Sequence, residues 1–285
     1  MIPASFEYYA PRSLNEAISY LASHRDDVKI LSGGQSLMPL LKMRLSKPAY
    51  LVDIGRIPGL DTIEEESGYL ILGGLVTYAQ IEQSALLKEK CPLLPQTATT
   101  IADVQVRNRG TIGGNIAHAD PAGDMPATIM ALDAEIKAVG PNGERWVKAA
   151  NFFLGLLMSV LEPDEIVTAI KVPVTGSDKT AYLKAAPRSS GFAVVGVAVR
   201  LAVDGAGTCQ RAAVGITGVT DKAYRAEHVE RLLAGKRLDA KIIGEVASES
   251  THNIDVIEDI NGSTEYRTHL THVYVARAIE AALRR

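Results

Sequence analysis

Apolar residues recur along the chain in two rhythms, and the balance between them changes near residue 175. Before that point, short strand-like runs alternate with helical stretches. Ser13-Leu14-Asn15-Glu16 has the hydroxyl and carboxylate of a capping box, and Ala17, Ile18 and Leu21 then fall on one helical face. Val28 to Leu31, Tyr50 to Ile54 and Tyr69 to Leu72 predict strands, with Ser32-Gly33-Gly34-Gln35-Ser36 as a sharp loop after the first. Thr77-Tyr78-Ala79-Gln80 is a second capping box, Pro92 to Ala102 reads as helix, and another helix is expected after Pro121. Val106 to Gly110 reads as a basic loop and Thr111-Ile112-Gly113-Gly114-Asn115 as a second glycine turn. Glu135 to Val139 and Arg145 to Lys148 flank Pro141-Asn142-Gly143, good hairpin chemistry, and Ile166 to Val172 closes the region as a strand.

Pro173-Val174-Thr175-Gly176-Ser177-Asp178 is a cluster of turn formers without periodicity, and the domain boundary is placed there. The pattern predicts an α+β region over 1–175, in two subdomains split near residue 57, and a second domain over 176–285. In the second, Ala181 to Ala186, Ala193 to Val203 and Gln210 to Ile216 predict a three-stranded antiparallel sheet. Helices are expected around Ala223 to Leu233, Ala240 to Ser248 and Glu265 to Leu283, the last with Val273, Ala276, Ile279 and Leu283 as its apolar stripe.

Composition narrows the chemistry. The 285 residues are 47% hydrophobic and 22% charged, which fits a globular protein and argues against disorder. With 30 basic and 33 acidic residues, the bulk charge asks for no nucleic-acid partner. No apolar run approaches a transmembrane helix and no signal peptide is apparent, so a cytoplasmic location is expected. Cys91 and Cys209 are far apart and belong to no metal-binding spacing, which disfavours a disulfide framework, a structural zinc site or an iron–sulfur cluster carried by this chain.

Several site types are missing. Neither G-x-G-x-x-G nor G-x-x-x-x-G-K-[ST] occurs, nor H-E-x-x-H; His269 and His272 lie three apart without the carboxylate a catalytic zinc would want. Gly34-Gln35-Ser36-Leu37-Met38 begins like a nucleophile elbow but lacks the closing glycine. What stands out is the pair of glycine loops. Paired glycines carry no Cβ and permit positive φ, so successive amides can converge on an anion, with Ser36, Thr111 and Asn115 adding side-chain hydrogen bonds. Two such loops suit a pyrophosphate, whereas Gly73-Gly74 alone reads as a tight turn.

Ser32 to Leu37 with Pro39-Leu40-Leu41-Lys42, and the long run from Gln105 to Pro121 through Thr111-Ile112-Gly113-Gly114-Asn115, resemble the FAD-binding medium subunit of molybdenum hydroxylases, the aerobic carbon monoxide dehydrogenase and xanthine dehydrogenase family. The resemblance spans essentially the whole chain. It implies the vanillyl-alcohol-oxidase-type FAD-binding fold followed by the small antiparallel sheet with helices. It also implies that Ser32, Gly33, Gly34, Gln35, Ser36 and Leu37, with Thr111, Gly113, Gly114 and Asn115, hold the pyrophosphate and adjoining sugar. Asp124 would hydrogen-bond FAD unless it caps the helix containing Pro126; Ile101 would pack on the cofactor, and Leu161 and Lys184 would approach it from later in the chain. Arg107 to Arg109 is read as a phosphate or partner contact, His118 as loop structure, and Phe192 as either a ring near the isoalloxazine or a buried strand residue. Gln35 stands where several relatives have histidine, removing any pH-dependent role of that side chain.

By resemblance, the molybdenum cofactor would sit on a large partner subunit and two [2Fe-2S] clusters on a small one, in a dimer of heterotrimers. This chain would pass electrons from cluster to external acceptor, leaving the oxidised substrate to the large subunit. A stand-alone flavin oxidase and a non-enzymatic nucleotide-binding subunit are the alternatives.

Overall fold

A computed structural model describes residues 2–25, 27–187 and 191–285. The amino-terminal portion is a parallel sheet of β1 (Glu7–Tyr9), β2 (Val28–Leu31) and β3 (Tyr50–Asp53), in the order β1-β3-β2. Helix α1 (Leu14–Ser23) turns the predicted Ala17, Ile18 and Leu21 onto a core containing Val28, Val52 and Ile54. Its Ser13 hydroxyl accepts the Glu16 N–H, but the Glu16 carboxylate accepts from Arg12 N–H at 2.8 Å, so the expected capping box is shifted by one residue on its return arm. A short helix α2 (Leu37–Lys42) follows the first glycine segment directly; the pattern missed it because Pro39 in its first turn looks like a breaker, though a first-turn proline costs no hydrogen bond.

The central portion is an antiparallel sheet of β4 (Ile63–Glu66), β5 (Tyr69–Gly73), β6 (Glu135–Gly140), β7 (Gly143–Lys148) and β10 (Ile166–Pro173), in the order β4-β5-β10-β6-β7. Between β5 and β6 run α3 (Tyr78–Gln83), α4 (Ala85–Lys90), α5 (Leu93–Ala98), α6 (Val104–Arg107), α7 (Ile112–His118) and α8 (Asp124–Ala131). Between β7 and β10 the short strands β8 (Phe153–Gly155) and β9 (Met158–Ser159) form a hairpin. The capping box at Thr77 is complete, with the Gln80 amide on Thr77 and the Gln80 side chain back on the Thr77 N–H. Part of the expected basic loop is α6, and the second glycine turn is the first turn of α7.

The carboxy-terminal portion packs β11 (Lys179–Ala185), β12 (Val195–Val203), β13 (Cys209–Thr217) and β14 (Tyr224–Arg225) against α9 (Glu227–Leu233), α10 (Ala240–Ala247) and α11 (Thr264–Leu283). The sheet therefore has four strands, not three: Tyr224–Arg225, read as the start of a helix, instead pairs with Gly215 and Ile216. Two residues are too few for an alternating pattern to announce a strand. The buried face of α11 is also rotated from the expected stripe, to Val275, Ala278, Ile279 and Ala282, while Val273, Ala276 and Leu283 are only partly covered. The helix carries apolar residues on several sides, and packing against β11 and β12 selects among them.

Every residue of α8 is buried, because it lies against the five-stranded sheet's core on one side and the four-stranded sheet on the other. Small residues permit this closeness: a Cβ on Gly215 of β13 would lie 2.0 Å from the Ala127 carbonyl oxygen. Arg225 adds a polar lock, donating to Met130 O at 3.1 Å and pairing with Asp133 and Glu230. Among the described residues no helix is long and apolar enough to cross a membrane.

Gly215→Ala is expected to force β13 off α8, destabilising the protein by about 1–3 kcal/mol, the usual scale of overpacking. Gly205→Ala, with no heavy atom within 4 Å of its added carbon, is the control and is expected to stay within about 0.5 kcal/mol of the parent. Denaturant titration of both variants measures the difference.

Candidate flavin site

The two glycine segments lie on one another. Ser32 leaves β2, and its Oγ sits 2.7 Å from Thr111 Oγ1 at the start of α7. A Cβ on Gly33 would be 2.2 Å from Arg109 O and 2.9 Å from Gly110 Cα, so backbone must touch backbone there. Gly34 takes φ 74°, the left-handed conformation that the sharp turn demands of it. The second pair works differently from expectation. Gly113 and Gly114 are helical, and neither has positive φ. Gly113 is needed for proximity: its N–H donates to Gly74 O at 3.0 Å, and a Cβ would come within 2.5 Å of that oxygen. Gly73-Gly74 does open a tight turn, with Gly73 O accepting the Val76 N–H at 3.0 Å, and it is a packing surface as well, with Gly74 having Val167 O at 2.2 Å from where its own Cβ would be.

This contact leaves hydrogen-bonding groups unspent. Among the described residues, the amide N–H groups of Gly33, Gly34, Gln35, Ser36 and Leu37 donate to no other group of the chain. The Ser36 hydroxyl makes no capping bond to α2. Thr111 caps α7 by accepting the Gly114 N–H at 3.2 Å. One turn on, Asn115 Oδ1 is buried without a partner, an arrangement that costs about 1–3 kcal/mol unless a donor reaches it. Five neighbouring amides and an orphaned acceptor fit the oxygens of a pyrophosphate and the hydroxyl of an attached sugar.

A second group extends from the first. A Cβ on Gly123 would lie 3.3 Å from Asn115 Nδ2, and the next residue is Asp124. Gly123, not Asp124, is the N-cap of α8. The Asp124 carboxylate instead accepts Tyr182 OH at 2.5 Å and Lys184 Nζ at 3.1 Å, both from β11. Lys184 also donates to Gly191 O at 2.7 Å, and Gly191 rests against Ala102, the neighbour of Ile101. Asp124 and Lys184 have side chains only 7% and 10% exposed. Burial pushes the Asp124 carboxyl up from its ordinary range, against the opposing pull of Lys184 and the Tyr182 hydroxyl. Burial and the adjacent Asp124 charge push the Tyr182 phenol well up, so it remains a donor.

Ser32 to Leu37, Thr111 to Asn115, Asp124, Lys184 and Ile101 thus follow one continuous track. Leu161 stands to its side, half-buried after β9, which packs against α7. Arg107 is already paired within the chain: it donates to Glu82 at 2.9 Å and to Ile101 O at 3.0 Å. Phe192 is largely exposed rather than buried in a strand. Tyr182 was missed, although its spacing of two from Lys184 on a strand puts both on one face. Thr217 was missed too; its hydroxyl lies 2.6 and 2.9 Å from the carbonyls of Pro121 and Gly123 and pins the loop before Asp124.

Two apposed glycine segments with unspent amides lie ahead of a helix buried between α5 and α7 on one side and the four-stranded sheet on the other, in a chain of the α+β class. Residues 4–175 match the FAD binding domain in molybdopterin dehydrogenase, and 180–282 match the CO dehydrogenase flavoprotein C-terminal domain. The chain belongs to the family of FAD-binding medium subunits of molybdenum hydroxylases. It is 38% identical over 283 residues to the carbon monoxide dehydrogenase medium chain of Hydrogenophaga pseudoflava, covering 99% of this chain and 98% of that one. It is 37% identical to the glyceraldehyde dehydrogenase medium chain of Sulfolobus acidocaldarius, over 98% of this chain and 99% of that one. Among solved structures, carbon monoxide dehydrogenase from H. pseudoflava superposes with a TM-score of 0.96 at 39% identity, and quinoline 2-oxidoreductase from Pseudomonas putida 86 with 0.94 at 32%, each over 99% of both chains.

Asp124→Asn leaves the Lys184 ammonium buried without its counter-charge and is expected to cost about 3–5 kcal/mol, as is Lys184→Met for the carboxylate. The double variant is expected to cost less than the sum, and a double-mutant cycle by urea unfolding reads the coupling.

Proposed function

We propose that this chain holds one FAD along the track from Ser32 to Lys184 and serves as the electron-transfer subunit between an iron–sulfur partner and an external acceptor. The observation that carries the reading is the row of unspent amides at 33–37 beside the orphaned Asn115 Oδ1. When bound, FAD supplies the ability to exchange electrons singly or as a pair. The chain's own residues set where it lies. Gly33 to Leu37 donate amides to phosphate oxygens, Thr111 and Gly114 keep the start of α7 pressed against that segment, and Asn115 accepts from a sugar hydroxyl. Asp124 and Lys184 hold β11 to α8, and Ile101 and Leu161 supply apolar walls.

The partners are part of this proposal: a small subunit with two [2Fe-2S] clusters and a large subunit with the molybdenum cofactor, joined as a dimer of heterotrimers in the cytoplasm. Cys91 and Cys209 support the separation of cofactors, because each is buried in a different core and they can ligate no cluster together. The exposed Leu154, Leu156, Leu157 and Met158 on and around the β8–β9 hairpin support docking of another protein. Relatives at 35–38% identity are named for carbon monoxide, glyceraldehyde and caffeine dehydrogenases, which supports placing substrate choice on the large subunit.

The purified chain is expected to retain or take up FAD in equal proportion and to be reduced by the iron–sulfur partner without oxidising an organic substrate itself. Gly114→Asp sets a carboxylate beside Thr111 Oγ1 and Ser32 and is expected to weaken FAD binding at least ~100-fold, since like charges in such contact cost several kcal/mol. Flavin absorbance after gel filtration, with circular dichroism to verify folding, measures this; undiminished FAD content in the folded variant overturns the cradle.

A further inference from the structure

Away from the flavin track, the carboxy-terminal domain gathers a set of metal-ligating side chains. His228 lies on α9, while Glu249 and His252 lie in the turn after α10. His228 Nε2 is 3.6 Å and His252 Nδ1 is 3.5 Å from the same carboxylate oxygen, Glu249 Oε2, and the ligand atoms of all three lie within 4.8 Å of one another. The two imidazoles stack with centroids 4.3 Å apart at 20°.

These spacings are informative. Hydrogen bonds between imidazole and carboxylate close to about 2.7–3.2 Å, and both separations exceed that. Ligands placed about 2.0–2.2 Å from a tetrahedral Zn²⁺ stand roughly 3.3–3.5 Å from each other, close to the two carboxylate–imidazole separations here, and a turn of one stacked ring about its Cβ–Cγ bond brings both imidazole lone pairs onto the ion. The scaffold is also braced on both sides. Ser250 N–H donates to Ala247 O and His252 N–H to Glu249 O, each at 3.1 Å, which turns Glu249 and His252 the same way. Tyr224 OH donates to Ser250 O at 3.1 Å, tying the turn to β14, which leads directly into the helix carrying His228. Thr251 Oγ1 pairs with His272 Nε2 at 3.0 Å and fixes the turn to α11. His272 is thereby engaged elsewhere. Among the described residues, this is the one cluster of three such ligands.

We propose that His228, Glu249 and His252 form a binding site for one divalent transition-metal ion of the Zn²⁺ class, with a water in the remaining position. Two imidazole nitrogens and one carboxylate suit Zn²⁺, Co²⁺ or Ni²⁺ and not the all-oxygen preferences of Mg²⁺ or Ca²⁺. The ligands are partly exposed, so the ion exchanges with solvent, and its effect is to clip the start of α9 to the α10–α11 connection. The site has no part in the electron path.

The test titrates the chelator-treated, FAD-loaded full chain with Co²⁺ and then Zn²⁺, following visible Co²⁺ absorption and calorimetric stoichiometry. One equivalent of Co²⁺, displaced by Zn²⁺, is expected, with a rise in the thermal midpoint. His228→Gln and His252→Gln are each expected to weaken binding at least ~10-fold, the low end of what even outer-shell losses cost a metal site. His269→Gln is expected to change nothing, and FAD content and circular dichroism in all variants stay as in the parent. The absence of saturable uptake, uptake that survives the His228→Gln/His252→Gln double variant, or loss that follows His269→Gln overturns the proposal.

Discussion

The contact of Gly33 with the backbone of Arg109 and Gly110 is the constraint on which the site depends. No side chain fits there, so two segments distant in sequence meet main chain to main chain, and Ser32 and Thr111 bridge them by a single hydroxyl pair. The closeness has a chemical result. Amides that would ordinarily be satisfied inside a helix or sheet are left without a partner in the chain around the Gly34 turn, beside the start of α7. Gly113 on Gly74 continues the same construction one layer deeper, where α7 meets the end of β5 beside β10. A methyl group at any of these positions would separate surfaces that must touch.

The carboxy-terminal domain is joined to this frame through α8, and the joint combines two kinds of force. Small-residue packing of Gly215 on Ala127 sets the distance. The buried Asp124, held by Tyr182 and Lys184, sets the register of β11 against the helix start. Such a pair returns little net stability, because both charges surrender hydration, but breaking it is costly and so it discriminates against misdocked arrangements. Lys184 extends the link to Gly191, which touches the turn beside Ile101. The proposed cofactor track and the contact between β11 and α8 are thus partly the same set of residues.

The proposed electron-transfer role needs a cofactor held at a fixed place and little reactive side-chain chemistry of the chain's own. The two thiols conform to that: both are fully buried, and burial pushes the Cys91 thiol up to about 12, which keeps it protonated and inert. The exposed apolar hairpin is the counterpart on the outside, and the proposed docking of a partner rests on it.

Much was legible in the residue order. Strand runs such as Ile166 to Val172, the capping box at Thr77 and the turn cluster after Pro173 are local signals, because strand alternation, helix capping and turn formation are decided by neighbours a few residues apart. The two glycine segments suggested phosphate chemistry for the same reason, being dense local motifs. What the order of residues left open was every property set by a partner far along the chain. Gly113 and Gly114 read as a turn, and only the approach of Gly74 makes them a helix start packed without side chains. Tyr224–Arg225 is a strand only because β13 offers an edge. Asp124 read as a flavin contact with a helix cap as the alternative, and only β11, arriving with Tyr182 and Lys184, makes it a buried ion pair. The reason is physical: close approach, burial and charge pairing are properties of surfaces brought together by folding, and a sequence displays one of the two surfaces at a time.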